Sequence, residues 1–120
     1  MKTFFKKKPR EFEVGNGKKF KIKDFGKIFL ESDEQITFVT KKGGEYDVTK
    51  KNWGFYATPS LNGRLKNFNL RPVLIKNKIT KRFFIFLVEK GKESLFLKYL
   101  SEEKLEVILW LDDEKKINRL

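Results

Sequence analysis

The sequence contains no cysteine and no histidine, and these two absences exclude whole classes of chemistry. Without cysteine there can be no disulfide framework and no thiolate nucleophile. Without histidine the chain lacks the commonest general base and the commonest metal ligand. Because zinc sites are built from cysteine or histidine in nearly all cases, we expect no zinc centre. A magnesium or calcium site made only of carboxylates remains compatible with the composition.

Long apolar runs are also lacking. The longest is Phe83 to Val88, which is far too short to cross a bilayer. The N-terminal residues MKTFFKKKPREFEV carry a basic cluster, but no apolar stretch of the length that a signal peptide needs follows it. We therefore expect a soluble cytoplasmic protein that does not act at a membrane.

Acidic residues are scarce relative to basic ones, 16 against 28, so the formal net charge is +12. A basic domain attracts polyanions such as nucleic acid. The excess of lysine also has two origins that involve no ligand. The 23 lysines accompany many asparagine, isoleucine and phenylalanine residues, as the codons of an AT-rich genome would produce. Lysine also keeps a protein soluble and protects the edges of its sheets.

Motifs for catalysis are missing. The run Gly15-Asn16-Gly17-Lys18-Lys19 superficially resembles a phosphate loop, but it lacks the spacing and a following helix, so we interpret it as a hairpin turn. The acidic run Asp112-Asp113-Glu114 is interpreted as a solvated strand end rather than a cation site. No residue stands out as an acid, a base or a nucleophile. We expect a protein without a cofactor that is not an enzyme.

Length and pattern predict one domain. We place the globular domain at residues 11–114, with a flexible basic tail at residues 1–10 and a polar tail at residues 115–120. Two hairpins are predicted where alternating segments flank a turn that tolerates positive φ. They comprise residues 11–14 and 18–23 around Asn16-Gly17, and residues 35–40 and 45–49 around Gly43-Gly44.

The C-terminal half predicts a buried strand and a helix. The continuous apolar run Phe83–Val88 is typical of a central strand covered on both faces. Residues 92–103 place Leu95, Phe96, Tyr99 and Leu100 on one helical face, and alternation resumes at residues 105–111. The predicted fold is α+β. It has a mostly antiparallel, curled sheet or small open barrel of six to seven strands, with one C-terminal amphipathic helix before the last strand.

Residues 52–65 form the lysine-free segment, NWGFYATPSLNGRL, and the candidate ligand-binding residues lie in or beside it. They are Trp53, Tyr56, Asn62, Arg64 and Arg71. Arginine is rare in this chain, and its planar fork suits a carboxylate, a phosphate or an aromatic ring. Strand alternation predicts that Trp53 and Phe55 share a face, with Tyr56 at least partly exposed on the other.

Each candidate also has a purely structural interpretation. Both arginines would then lock the loop by pairing with Asp47, Glu45 or a backbone carbonyl, and Asn62 would be a turn residue before Gly63. The functional hypothesis is a small binding or accessory domain for single-stranded nucleic acid or another polyanion. The alternatives are binding of carbohydrate or a nucleotide-sugar, or docking on a protein partner. The sequence does not set the oligomeric state.

Overall fold

The computed structural model describes residues 1–120 and is an α+β structure dominated by antiparallel strands. The strands are β1 (Lys2–Val14), β2 (Phe20–Phe29), β3 (Gln35–Val39), β4 (Glu45–Lys51), β5 (Gly54–Ala57), β6 (Leu70–Asn77), β7 (Phe83–Glu89) and β8 (Leu105–Trp110). The helices are α1 (Arg64–Asn67), α2 (Glu93–Glu103) and α3 (Glu114–Ile117).

The eight strands form three separate sheets, with orders β1–β2, β3–β4–β5 and β7–β6–β8. This differs from the single curled sheet or open barrel of six to seven strands that the pattern predicts. One sheet ends and the next begins at two points along the chain, between β2 and β3 and between β5 and β6. Between β5 and β6 the chain passes Pro59, which has no amide to donate, and then forms α1. No strand therefore connects the second sheet to the third.

Nine of the first ten residues, where a tail was predicted, belong to β1, which pairs with β2 from Lys2 opposite Phe29 to Val14 opposite Phe20. The register shifts between Phe5 and Arg10, so the basic cluster bulges out of the ladder. The sequence pattern concealed this pairing because the predicted strand ended at residue 23, whereas β2 continues through Gly26 to Phe29.

The hairpin predicted around Gly43-Gly44 is confirmed. It is formed by β3 and β4, with Ile36 opposite Val48 and Phe38 opposite Tyr46. β5 then adds to the far side of β4, with Lys50 opposite Phe55. The middle sheet therefore has two edges, one on β3 and one on β5.

The core lies between the third sheet and α2. Five buried residues form it: Val73, Ile75, Val88, Leu100 and Leu105. Phe96 of α2 packs against Phe86 and Trp110, at ring-centroid distances of 6.1 Å and 5.9 Å. Because these two rings belong to the outer strands β7 and β8, the helix stands over the central strand β6.

β7 is an edge strand, so the prediction of a central strand covered on both faces is wrong. It pairs only with β6, and the side chains of Phe83, Phe84 and Ile85 are 58%, 43% and 57% exposed. The central position belongs to β6, since β8 returns to pair with its other side. Residues 83–88 are as apolar as a buried strand, but only the C-terminal half of this run lies beneath α2.

Three helices are present where one was predicted. α2 occupies Glu93–Glu103, ends at Lys104 in a left-handed conformation with φ 56°, and is followed by β8. The short α3 lies at the start of the predicted polar tail, where the Asp113 carboxylate accepts a hydrogen bond from the Lys116 amide at 3.2 Å. None of the three helices combines the length and apolar character that a membrane-spanning helix requires.

Candidate binding surface

The lysine-free segment is held at its C-terminal end by two buried residues, Pro59 and Leu65. The Ser60 hydroxyl accepts a hydrogen bond from the amide of Arg64, the first residue of α1, at 2.9 Å. At the other end the turn between β4 and β5 closes at Gly54, whose φ of 147° favours glycine. The intervening strand β5 is thereby fixed at the edge of the middle sheet.

The three aromatic side chains of this segment are exposed. Trp53 is 69% exposed, Phe55 64% and Tyr56 47%. The exposure of Tyr56 agrees with the prediction. Trp53 and Phe55, which were predicted to share the other face, are exposed as well, and only an open cleft lies between Phe55 and the first hairpin. We call Trp53, Phe55 and Tyr56 the aromatic surface.

Arg64 is bound to a carboxylate inside the protein. Its guanidinium lies 3.2 Å from the buried carboxylate of Asp47, and it also lies over the Phe68 ring at 5.3 Å. The same carboxylate accepts a hydrogen bond from the Thr37 hydroxyl at 2.6 Å. Asp47 is a partner that the structural interpretation named, so the geometry favours an arginine that ties α1 to β4.

Arg71 makes a bidentate pair with Asp112. Its Nε donates to one carboxylate oxygen at 2.9 Å and its terminal nitrogen to the other at 3.2 Å. The guanidinium lies 4.0 Å above the Trp110 ring, and the hydrogen bond with Asp112 raises the pKa of Arg71. Asp112 was not among the predicted partners, and this pair lies on the third sheet rather than beside the aromatic surface.

Asn62 donates through its side-chain amide to the Glu114 carboxylate, which ties the turn before α1 to α3. Each acid of the run at 112–114 therefore has its own partner. Asp112 holds Arg71, Asp113 caps α3 and Glu114 accepts from Asn62. The side chains of the run do not converge on a common point.

The five predicted site residues do not gather into one cluster. Each of the three polar ones is bonded to a carboxylate rather than to another candidate, and only the two aromatic ones, Trp53 and Tyr56, stand free in solvent. Phe55 lies between them in the sequence and was not predicted as a site residue. Its position on the same short strand was the available signal.

An apolar cleft of about 410 Å³ separates the first hairpin from the middle sheet. Six of the residues that line it are Phe5, Phe25 and Ile28 of the hairpin and Ile36, Phe38 and Phe55 of the sheet. We call this the hairpin cleft. Phe55 belongs both to it and to the aromatic surface, so the two features are continuous.

The turn at Gly15–Gly17 does bind an anion, but the anion is a side chain of the protein. The buried Glu103 carboxylate at the end of α2 accepts hydrogen bonds from the amides of Asn16 at 2.9 Å and Gly17 at 3.0 Å. A Cβ on Gly17 would lie 2.1 Å from the Glu102 carbonyl oxygen, so only glycine fits there. The pKa of Tyr99 is raised, mainly by burial of its hydroxyl and to a smaller extent by the negative charge of Glu103.

Comparison of the chain with protein-family models, with curated proteins and with solved structures found no match.

Proposed function

We propose that this protein is a non-enzymatic binding module whose aromatic surface binds single-stranded nucleic acid. The observation that carries the proposal is the exposure of three neighbouring aromatic side chains, Trp53 in the turn before the edge strand β5 and Phe55 and Tyr56 on that strand, in a chain with a net charge of +12. Exposed rings accept stacked bases of any sequence, at about 1–3 kcal/mol per base. Lysine supplies the long-range attraction to the phosphates.

The arginines are not part of this proposal. Arg64 and Arg71 are already paired with carboxylates, so an arginine clamp on the ligand would require breaking an existing ion pair. The lysines nearest the aromatic surface are Lys50, opposite Phe55, and Lys51, which lies 2.5 Å from Asp33. Attraction to the strand would therefore be spread over the whole basic surface, while local contact would come from stacking.

Fluorescence anisotropy with labelled oligo-dT and oligo-U tests the proposal. We expect Trp53→Ala and Tyr56→Ala each to weaken binding by about 5- to 100-fold, the equivalent of one lost stacking contact. Phe12→Ala, a matched control on the first hairpin, should leave affinity unchanged. Affinity should fall steeply with salt because bound cations are released from the strand.

Arg64→Lys separates stacking from an arginine clamp. Because Arg64 is engaged with Asp47, this variant should retain full affinity for both oligonucleotides. The proposal fails if neither oligonucleotide binds at low salt, or if the two aromatic variants bind as tightly as the unaltered protein.

Docking on a protein is the second candidate, and the hairpin cleft favours it. An open cleft lined almost wholly by apolar side chains resembles a surface that another protein would cover. Failure of both oligonucleotides to bind would leave this candidate in first place. The carbohydrate alternative is weaker, since the side-chain amide of Asn62, one of the candidate ligand-binding residues, already donates to Glu114.

A further inference from the structure

The edge strand β7 has the apolar composition that is typical of a strand paired on both sides. Residues 83–88 include no charge, no proline and no glycine, although they lie at the edge of the third sheet. Natural edge strands are normally protected by such residues, by a bulge or by shortness. More than two-fifths of each of the three side chains Phe83, Phe84 and Ile85 is exposed.

The other edges carry such protection. β8 has a bulge opposite Leu74 and Ile75 and carries Glu106. β5 has only four residues and begins with a glycine, and β3 has only five residues with two polar ones among them. Both strands of the first hairpin carry lysines, and β1 also contains Pro9. β7 is therefore the edge where another strand can add without meeting a charge or a kink.

The free backbone groups of β7 belong to alternate residues. The Asn77 amide donates to the Arg82 carbonyl at 2.8 Å, so position 82 faces β6. Because backbone direction alternates along an antiparallel strand, Phe83, Ile85 and Leu87 direct their amides and carbonyls away from the sheet. A strand added at this edge would be hydrogen-bonded to these three residues.

An apolar groove of about 570 Å³ runs along this edge between β7 and α2. Five consecutive residues of the strand, Ile85–Glu89, line it on one side. Leu95, Phe96 and Tyr99 of α2 are among the residues that line it on the other. The groove therefore offers unpaired backbone and an apolar wall together.

We propose that a second copy of this chain occupies the edge, so that the two β7 strands pair antiparallel about a two-fold axis at Ile85. Ile85 then lies opposite Ile85 of the second copy, and Phe83 lies opposite its Leu87. The two three-stranded sheets become one sheet of six strands. This inference does not rest on the proposed binding of nucleic acid.

Charge complementarity favours this register. It brings Lys81, just before the strand, close to Glu89 of the second copy, and the symmetry repeats the contact at the other end. The Glu89 carboxylate already pairs with Lys92 of its own chain at 3.1 Å, so in the dimer it would lie between two lysines. A shift of the axis to Phe86 would instead place Arg82 opposite Lys90 of the second copy and Phe83 opposite its Glu89. Like charges directly opposite each other destabilise a strand pair.

The helices fit the same arrangement. In such a dimer both copies of α2 lie on one face, each above its own β6, and the two β6 strands are three strand spacings apart, about 14 Å. Packed helices lie about 8–10 Å apart, which leaves a gap for long side chains between them. Leu95, which lines the groove and is 66% exposed, would fill this gap from both sides.

Disulfide cross-linking tests the register directly, because the chain contains no cysteine of its own. At the two-fold axis the paired Cα atoms would be about 5.5 Å apart, which a disulfide can span. We expect Ile85→Cys to cross-link into dimers under mild oxidation. A mixture of Phe83→Cys and Leu87→Cys should yield mainly the mixed dimer. Leu97→Cys, at an exposed position on α2, is the control and should form no disulfide-linked dimer.

Analytical ultracentrifugation provides the second measurement. The unaltered protein should dimerise at micromolar concentrations, and Ile85→Lys and Ile85→Pro should be monomers that retain the circular dichroism of the fold. Proline at this position removes only an amide that points away from β6. Leu97→Lys should still dimerise.

Exchanging the charges at positions 81 and 89 provides a third test of the dimer. Lys81→Glu and Glu89→Lys should each weaken the dimer, and the double variant should restore it. A protein that stays monomeric throughout the accessible concentration range would overturn the proposal. So would a dimer that survives both Ile85→Lys and Ile85→Pro.

Discussion

The β1–β2 hairpin and the β6–β7–β8 sheet are both antiparallel and both rich in phenylalanine, but they differ in what covers them. The third sheet lies beneath α2 and contributes four of the five residues of the core cluster. Neither β1 nor β2 contains a single buried residue, and Phe12, Phe20 and Ile22 remain exposed to solvent. The alternation that forms a strand is therefore not enough to bury it, because burial needs a second layer.

The hairpin depends on its attachments to the rest of the protein. At its turn, two backbone amides hold the Glu103 carboxylate, and Phe20 contacts Tyr99 of α2 at a ring-centroid distance of 6.4 Å. Near its open end, Phe5 and Phe25 face the hairpin cleft. A hairpin with no core of its own is marginal in water, so these contacts determine whether it stays ordered.

The largest expected contrast comes from deleting the same atoms in the two regions. Ile75→Ala removes a fully buried side chain from the core, and we expect it to lower the free energy of unfolding by about 2–5 kcal/mol. Ile22→Ala removes an exposed side chain from the hairpin and should cost less than about 1 kcal/mol. Urea denaturation followed by circular dichroism measures both. Equal losses would mean that the hairpin has a covering layer in solution.

An intermediate effect is expected where the hairpin meets α2. Glu103→Gln replaces one of two acceptor oxygens with an amide that cannot accept, so one partly buried backbone amide of the turn loses its partner. We expect a loss of about 1–3 kcal/mol, because hydrogen bonds to a charged acceptor contribute more to stability than neutral ones. Glu102→Gln alters the exposed neighbour and should be nearly neutral.

Hydrogen exchange shows where that loss acts. In Glu103→Gln the amides of β1 and β2 should exchange faster, while those of β6 keep their protection. Uniform acceleration across both regions would contradict the idea that the hairpin is a separately attached unit.

Local elements could be predicted from the sequence where a short pattern contains both partners of a contact. The hairpin around Gly43-Gly44 is such a case, since alternation and turn chemistry lie within fifteen residues. The edge position of β7 could not be predicted in this way. It depends on β8 returning to the far side of β6, and the apolar run at residues 83–88 is equally compatible with either position.

In the candidate site, too, contacts between residues close in sequence could be predicted, and long-range contacts could not. Asp47 could be named as a partner for Arg64 because it lies in the strand before the lysine-free segment, close by in sequence. Asp112 could not be named for Arg71, because their contact depends on the long-range register of β6 with β8. Exposure of the aromatic surface was equally hidden, since strand alternation does not tell whether any layer covers a face.

The smallest expected difference in stability is between two arginine substitutions, one in each region. Each arginine pairs with an aspartate and lies over an aromatic ring. Arg71 pairs with Asp112 through two partly buried hydrogen bonds and lies over Trp110, so Arg71→Lys should cost about 1 kcal/mol. Arg10 of the hairpin pairs with Asp24 at 3.3 Å and lies 4.8 Å from the Phe12 ring, but both charged groups are exposed.

Because water screens an exposed pair, Arg10→Lys should change the free energy of unfolding by less than about 0.5 kcal/mol. Urea denaturation of the two variants at low and high salt separates the cases. High salt should weaken the small contribution of Arg10 and leave most of the contribution of Arg71. A cost for Arg10→Lys as large as that for Arg71→Lys would show that the Arg10–Asp24 pair is shielded from water, and hence that the hairpin face is covered in solution.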